Sequence, residues 1–430
     1  MPNQKGFVPI ALVLILITIA AINIYFIKSH PGGVGIPQRA LTITGTKPGL
    51  DIKNWNAPTG QEILYAQNLP SCQGTELFSS PPAVDGSYNN ISPLGHTSSY
   101  NGNTGHVFPV DHMSFDLKHA TPFDRMTPSL PAILLAPADV EVYQITHTTY
   151  ERNSQVTGND YSVSFAPCKE VTLYFGHVTS ISPKLQNAVD HADQKKCQAP
   201  FTTGGGGSLT FKQCNYSLLL NLKSGEQIGT AGGPDVMTKA FDFGVYDQRI
   251  QPLPFINPKY WTPQNLHAVC GLYYYPSGAL KTSLLNKINN TKKDANGNPD
   301  CGTNMWDKAG TIQGNWILPN TPTGKVPDPQ GFSIARLYYN PSQGLIDWGG
   351  TIAPAGTVQF SITNSGVINR DPADVKADGL VYCFQDMLFG LTYSHSVILQ
   401  LIDDSTLKIQ YINGVCPSSL TFSNPATYSR

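Results

Sequence analysis

The chain has 430 residues, more than one ordinary hydrophobic core holds, so its length predicts two globular domains with appended segments. Only 13% of the residues are charged and the formal net charge is -1, which excludes an electrostatic nucleic-acid binder. The 39 glycines, 34 prolines and 20 tyrosines favour a mainly β protein outside the cytoplasm, built from many short strands.

The N-terminal part of the chain carries a membrane signal. Residues 7–27 form an uncharged apolar run between Lys5 and Lys28. A helix of this length, rising about 1.5 Å per residue, spans a bilayer core of about 30 Å. The short tail before it favours a single-pass membrane protein with its C-terminal bulk outside the cytoplasm. A cleaved signal peptide is the alternative, but no small-x-small cleavage site follows the long run, so we expect an uncleaved anchor.

Glycine and proline divide the chain into segments of different character. We expect a cytoplasmic tip and transmembrane helix at 1–29, a stalk at 30–60, a first β domain at 61–250, a Pro-rich joint at 251–261 and a second β domain at 262–430. Short β-branched and aromatic runs in the second domain are typical of an antiparallel barrel or sandwich.

Local composition predicts the individual elements, since β-branched and aromatic runs between turn residues favour strands. In the first domain the predicted strands are Ala132–Leu135, Val140–Thr146, Ser162–Phe165, Glu170–Phe175, Leu209–Phe211 and Ala240–Tyr246, with a helix at Lys184–Asp193. In the second domain they are Gly310–Trp316, Ser333–Tyr339, Thr357–Ile362, Gly379–Cys383, Ser396–Leu401 and Thr406–Tyr411, with a helix at Ala279–Ile288.

All eight cysteines follow the apolar run, and an even number in an exported protein favours disulfides over free thiols. Sequence does not determine how they pair. Neighbouring cysteines give the simplest hypothesis, which is Cys197 with Cys214, Cys270 with Cys301 and Cys383 with Cys416.

His112 and Asp116 form an H-x-x-x-D pair that is followed by three further motifs downstream. These are Tyr174-Phe175-Gly176-His177, the turn at 225–229 (GEQIG) and Ala240-Phe241-Asp242. Their order, with LAPADVEV at 135–142 between them, resembles the lysostaphin-like, or LytM-type, zinc metallopeptidases over roughly residues 95–248. The resemblance implies a duplicated hybrid motif fold, a β-sandwich, in a family that cuts peptide bridges in bacterial cell walls.

The resemblance also implies roles for particular residues. In that family, zinc is held by the histidine and aspartate of H-x-x-x-D and by the second histidine of an H-x-H motif, and water fills the fourth position. By position, His112, Asp116 and Asp242 would be the metal ligands. His177 would be the catalytic residue that orients or deprotonates the water.

The last motif departs from the family pattern, because H-x-H is replaced by Ala240-Phe241-Asp242. Ala240 cannot handle a proton, and a set of one nitrogen and two carboxylates suits harder cations better than zinc. Two anionic ligands would also make a bound water less acidic. We therefore expect a non-catalytic domain, with no cofactor, that binds or organises cell-envelope polymer, or that binds other envelope proteins.

Two other functions are compatible with the same residues. One is an active zinc endopeptidase that cleaves peptidoglycan-type bridges. The other is a purely structural surface protein, in which Asp111 or Asp116 caps backbone N–H groups. On a half-buried strand, Phe241 and Phe243 would then alternate as core positions and leave Asp242 on the opposite face.

Overall fold

The computed structural model describes residues 68–96, 106–119, 127–152, 155–203, 209–233, 239–321, 330–337, 340–388 and 391–430. All of them belong to one compact unit, Lys47–Arg430. The predicted anchor at 7–27 and the stalk at 30–60 lie outside these residues. Within the described ranges, no helix is long and apolar enough to cross a membrane.

The protein is mainly β, as predicted, with two antiparallel sheets. The strands of the first sheet are β1 (Tyr88–Ser92), β2 (Met113–Leu117), β3 (Ala132–Leu135), β4 (Val140–Arg152), β5 (Gln155–Cys168), β6 (Val171–Ile181), β7 (Gln194–Cys197), β8 (Phe201–Thr203), β9 (Leu209–Leu222), β10 (Gln227–Ala231) and β11 (Ala240–Asp247). Their spatial order is β1-β2-β11-β6-β5-β4-β9-β7, with β10 pairing with β3 and β6, and β8 with β9.

The second sheet follows in the chain. Its strands are β12 (Gly314–Ile317), β13 (Gly331–Arg336), β14 (Gln343–Trp348), β15 (Gly356–Ser361), β16 (Tyr382–Leu388), β17 (Leu391–Asp403), β18 (Thr406–Asn413) and β19 (Ala426–Ser429). The order is β15-β14-β13-β12-β19-β18-β17-β16. The two end strands come together, with ring centroids of Phe360 and Phe384 4.9 Å apart, so the sheet is nearly barrel-shaped.

Helices are short in the described part of the chain. They are α1 (Pro183–Asp190), α2 (Pro263–Leu266) and α3 (Ala279–Asn286), with 3₁₀ turns at Pro258–Tyr260 and Gly271–Tyr274. α1 begins at Ser182, whose hydroxyl accepts a hydrogen bond from the Leu185 N–H, and Pro183 occupies its first position, where no N–H is needed.

Each sheet has its own core, and a third cluster joins them. Phe115, Phe175 and Phe243 belong to the first core, and Trp316 and Trp348 belong to the core of the second sheet. The third cluster contains Val107 and Phe108 from the segment before β2, Phe255 and Trp261 from the predicted joint, and Ile317 of β12. Residues of the joint therefore pack against both the segment before β2 and the second sheet.

Four disulfides connect the eight cysteines. The three predicted pairs, 197–214, 270–301 and 383–416, are confirmed. The fourth joins Cys72 to Cys168 and so links the chain before β1 to the end of β5. The pairing of Cys270 with Cys301 holds the chain that follows the joint against the first core, of which both residues are members.

Candidate functional site

Neighbouring strands of the first sheet bring the predicted motifs together. β2 pairs with β11, so that Ser114 lies opposite Asp242 and Asp116 lies opposite Ala240. On its other side β11 pairs with β6, where Asp242 lies opposite Gly176. Residues directly opposite each other in an antiparallel pair share a face of the sheet. These registers therefore place Asp242 between the two strands whose motifs carry histidines.

Side-chain alternation along β11 separates the core from the site. Phe241 and Phe243 point into the first core, as predicted, and so does Val245; all three are at most 1% exposed. Asp242 points to the opposite face, as predicted, and is nevertheless 7% exposed. A buried carboxylate requires compensating partners, because its transfer from water is unfavourable without them.

A bulge in β6 turns His177 towards Asp242. Phe175 and Val178 both point into the core, and the register with β5 shifts between their partners. The two residues between them, Gly176 and His177, therefore both leave the core side. His177 has a φ of 57°, a left-handed conformation that is uncommon for a residue with a side chain. Strained backbone of this kind is concentrated at functional sites.

The Asp242 carboxylate is the centre of the cluster. Its Oδ2 lies 3.4 Å from Nε2 of His112 and 3.4 Å from Nε2 of His177. Its Oδ1 accepts a hydrogen bond of 2.6 Å from Oγ of Ser114. One buried carboxylate thus faces two imidazole rings and one hydroxyl, which together compensate for its burial.

Each imidazole also has a carboxylate on its other nitrogen. Nδ1 of His112 lies 3.2 Å from Oδ1 of Asp111, and Nδ1 of His177 lies 2.9 Å from Oδ2 of Asp160. The Tyr150 hydroxyl donates a hydrogen bond of 2.7 Å to the same Asp160 oxygen. A carboxylate in this position fixes the orientation of an imidazole and stabilises its protonated form.

These contacts determine the charge state of the cluster. Burial alone would raise the pKa of Asp242, but the charges of His112 and His177 and the Ser114 hydrogen bond hold it below its ordinary range. The charge of Asp242 raises the pKa of His177 to about 9, against the opposing effect of burial. Burial also acts to lower the pKa of His112, but Asp242 and Asp111 raise it above its ordinary value. At neutral pH, the cluster therefore holds the Asp242 carboxylate beside a protonated His177, and the same carboxylate favours the protonated form of His112.

Other aromatic rings enclose His112. Its ring centroid is 5.8 Å from that of His96, 6.0 Å from that of His106 and 5.7 Å from that of Tyr174, all edge to face. Burial, together with the neighbouring charge of His112, lowers the pKa of His96 to about 4, so this ring is neutral at pH 7. His112 is thus enclosed by aromatic rings and directed at the carboxylates of Asp111 and Asp242.

The segment that carries His96 is held by a close backbone approach. The Gly95 N–H donates to the Val110 carbonyl at 2.9 Å. Gly95 has a φ of +78°, and a Cβ added there would lie 1.8 Å from the Thr303 carbonyl oxygen. Only glycine fits this position without moving the chain. Residues that are far apart in sequence therefore form the wall beside His112.

His112 and Asp242 satisfy the spacing of two zinc ligands. Two donors on a tetrahedral zinc, with bonds of about 2.0–2.1 Å, lie about 3.3 Å apart. The 3.4 Å between His112 Nε2 and Asp242 Oδ2 is close to this separation. The pair therefore lies where the family resemblance implies a metal.

No third ligand from the described part of the chain is brought to this pair. Among the described residues, one trio of His, Cys, Asp or Glu has its ligand atoms within 4.8 Å of one another. It consists of Cys72, Cys168 and Glu170, and its two cysteines are joined in a disulfide. Neither Asp116 nor His177 completes such a trio with His112 and Asp242. A protonated imidazole must also lose its proton before it binds a metal. The residues present do not fit a zinc site with three protein ligands.

The structure thus brings three of the four predicted site residues together, His112, His177 and Asp242, whereas Asp116 lies two residues further along β2, opposite Ala240. Sequence reasoning missed the roles of Ser114 and Asp160. Ser114 could have been found, because alternation along a strand places it on the same face as His112. No local signal identifies Asp160, which reaches His177 across the bulge between β5 and β6.

Comparison of the chain with known protein families, with curated proteins and with solved structures gives no match.

Proposed function

We propose that the first sheet carries a metallopeptidase-like site that binds cell-envelope polymer and does not hydrolyse it. The observation that carries this proposal is the position of Asp242, whose carboxylate faces both His112 and His177 at 3.4 Å. Asp242 stands where the family resemblance implies a neutral histidine ligand. It acts instead as a counterion that raises the pKa of both rings.

The same contacts disfavour hydrolysis. A base that takes a proton from water at neutral pH must itself be unprotonated, and a pKa of about 9 keeps His177 protonated. The Ser114 hydroxyl donates its hydrogen bond to Asp242, whose lowered pKa makes it a weak proton acceptor. None of these groups is therefore prepared to generate a nucleophile.

The proposed location is the outer side of the membrane, with anchoring through residues 7–27. Four disulfides support an oxidising compartment, where such bonds form and persist. A formal net charge of -1 is consistent with a polymer ligand that is held by hydrogen bonds and not by charge.

The test is co-sedimentation of the purified full-length protein with insoluble bacterial cell-wall material. We expect the protein to be retained, with no increase in free amino groups in the supernatant over a day. Release of new amino groups that chelator suppresses would support the alternative, a zinc endopeptidase. Absence of retention would support the purely structural alternative.

A further inference from the structure

The face of the first sheet that carries the site continues across β5, β4 and β9 as rows of uncharged polar side chains. Ser164, Gln144 and Ser217 lie opposite one another in the first row. Since Ser164 also lies opposite Tyr174 on β6, this row adjoins the aromatic wall of the histidine cluster.

Two further rows have the same character. The second contains Ser162, Thr146 and Asn215, and the third begins with Asp160 and continues through Thr148 and Gln213. Neighbouring strands are about 4.8 Å apart, and successive rows on one face are about 7 Å apart. The rows thus form a regular field of hydroxyl and carboxamide groups, about 10 Å wide across three strands.

Several of these side chains have hydrogen-bond donors and acceptors that a ligand could use. Thr146 donates to Asn215 at 2.6 Å, which orients the Asn215 amide. Within the described part of the chain, the side chains of Ser162, Thr148 and Gln213 make no hydrogen bond. They are partly exposed, so a ligand can reach them.

Charge is nearly absent from the field. Asp160 is neutralised by His177 at 2.9 Å, and Lys196 of the edge strand β7, opposite Asn215, lies at its margin. The field therefore complements a neutral ligand. β4 is paired on both sides, so an extended peptide cannot add to it as a further strand. Hydroxyl groups of a ligand would instead meet hydroxyl and carboxamide side chains directly.

Both ends of the field have features that suit sugar rings. Beyond the third row, Tyr150 and Phe211 lie opposite each other with ring centroids 5.2 Å apart, and aromatic rings offer apolar surface beside polar groups. At the other end, a cleft of about 630 Å³ includes Gln144 and Ser217 in its lining. This volume lies within the range of small-molecule sites.

We propose that the outer face of β5, β4 and β9 binds a neutral polysaccharide, held by hydroxyl and carboxamide side chains next to the histidine cluster. This inference rests on the proposed function and names the chemistry of its polymer. The test below also includes a peptide and an acidic glycan, and binding of either one would identify a different ligand class.

The test measures binding to the purified full-length protein by titration calorimetry. The probes are the neutral hexasaccharides of glucose and of N-acetylglucosamine, an acidic hexasaccharide of hyaluronan, and hexaglycine. We expect at least one neutral hexasaccharide to bind at least tenfold more tightly than the acidic one or the peptide. Failure of both neutral probes to bind, or equal binding of the acidic probe or hexaglycine, overturns the proposal.

Variants locate the binding face. Thr148→Lys places a charge in the field beside Asp160, whereas the control Thr149→Glu places one on the opposite face beside Lys212. We expect at least tenfold weaker binding for the first and no change for the control. Gln213→Ala adds no charge and should weaken binding about two- to tenfold, as expected for a lost hydrogen bond. Equal loss in Thr148→Lys and Thr149→Glu contradicts the assignment.

The outcome separates this inference from the proposed function. If the full-length protein sediments with cell-wall material but binds neither neutral hexasaccharide, the sheet face is not the ligand site and the proposed function stands. If it does not sediment at all, the proposed function itself fails.

Discussion

Asp242 differs from the histidine that the family resemblance implies by a full negative charge, and this charge changes the state of both neighbouring rings. His112 and His177 each have one nitrogen near Asp242 and the other near a second carboxylate. Two carboxylates around one imidazole favour the protonated ring. The Asp242 carboxylate therefore gives both rings a counterion within the protein.

The titration of His177 tests this state. In chelator-treated protein, we expect a His177 pKa near 9, and a fall towards 6.5 in Asp242→Asn, where the charge of Asp242 is gone. Because the folded-state pKa is raised, the stability from this pair is complete below about pH 6.5 and is lost as the pH rises through about 9. The pKa of His177 is measured from the pH dependence of its imidazole nitrogen chemical shifts. A wild-type value near 6.5 would refute the ion-pair description.

Sequence alone predicts those site residues that belong to a local motif. His112, His177 and Asp242 were found because each belongs to a motif that is contiguous in sequence. Asp160 was not found, because its contact with His177 depends on the bulge that turns this ring out of the regular alternation of β6. Such irregularities depend on the pairing of whole strands and leave no local pattern.

At the scale of the elements, strands are predictable where the local sequence marks them and not where pairing with other strands defines them. β3 was predicted with its observed bounds, Ala132–Leu135, because apolar residues mark it. β4 and β5 continue past the predicted Val140–Thr146 and Ser162–Phe165, since polar residues extend both strands into a long hairpin. β14 was not predicted, because its sequence QGLIDW contains a glycine and a buried aspartate. Tertiary pairing overrides propensity in these segments.

The backbone at Gly95 lies so close to the Thr303 carbonyl that a larger residue at this position should destabilise the fold. Gly95→Ala should lower the free energy of unfolding by several kcal/mol, because the new Cβ collides with the Thr303 carbonyl as well as straining the backbone. Gly74→Ala is the matched control, since Gly74 also has positive φ but nothing lies within 4 Å of its Cβ. For Gly74→Ala we expect the free energy of unfolding to fall by about 1 kcal/mol. Equal losses in urea denaturation would contradict the role of the contact.

The buried carboxyl group of Asp347 in β14 should make the free energy of unfolding depend on pH. It is fully buried, its Oδ1 accepts from Thr357, and its Oδ2 has no partner among the described residues. Burial raises its pKa to about 8. Because the unfolded state loses this proton near pH 4 and the folded state keeps it to about pH 8, stability falls between these values.

Asp347→Asn should remove this pH dependence and make the protein more stable than wild type at pH 8, by about 1–3 kcal/mol. The melting temperature measured from pH 4 to pH 9 tests it, with the exposed Asp193→Asn as a control that should follow wild type. A variant less stable than wild type at pH 8 would show that the Asp347 carboxylate is stabilising there.

At the scale of the whole molecule, the second sheet supports the segment that leads to the site. The Ser333 hydroxyl of β13 donates a hydrogen bond to the Val107 carbonyl, and Phe108 packs against Trp261 with ring centroids 5.4 Å apart. A Cβ added at Gly331 would lie 2.3 Å from the Phe108 ring. The chain immediately before His112 is thus held between the predicted joint and the second sheet.

Ser333→Ala should therefore affect both stability and the site. We expect a loss of about 1 kcal/mol in the free energy of unfolding, together with shifted imidazole resonances of His112. The control is Ser342→Ala, whose hydroxyl donates to nearby Asn340 and to no other described residue. Unchanged His112 resonances in Ser333→Ala would show that the second sheet does not position the site.

Zinc binding measured by titration calorimetry, at pH 7 on full-length protein freed of metal, tests the central claim most directly. The wild type should bind no stoichiometric zinc, because the charge of Asp242 favours the protonated forms of His112 and His177. In addition, no third ligand from the described residues joins His112 and Asp242. The double variant Ala240→His with Asp242→His restores the H-x-H motif, removes the Asp242 charge and adds a second imidazole opposite Asp116, so it should bind one zinc per chain. Tight binding of one zinc by the wild type, with a melting temperature that chelator lowers, would contradict the account.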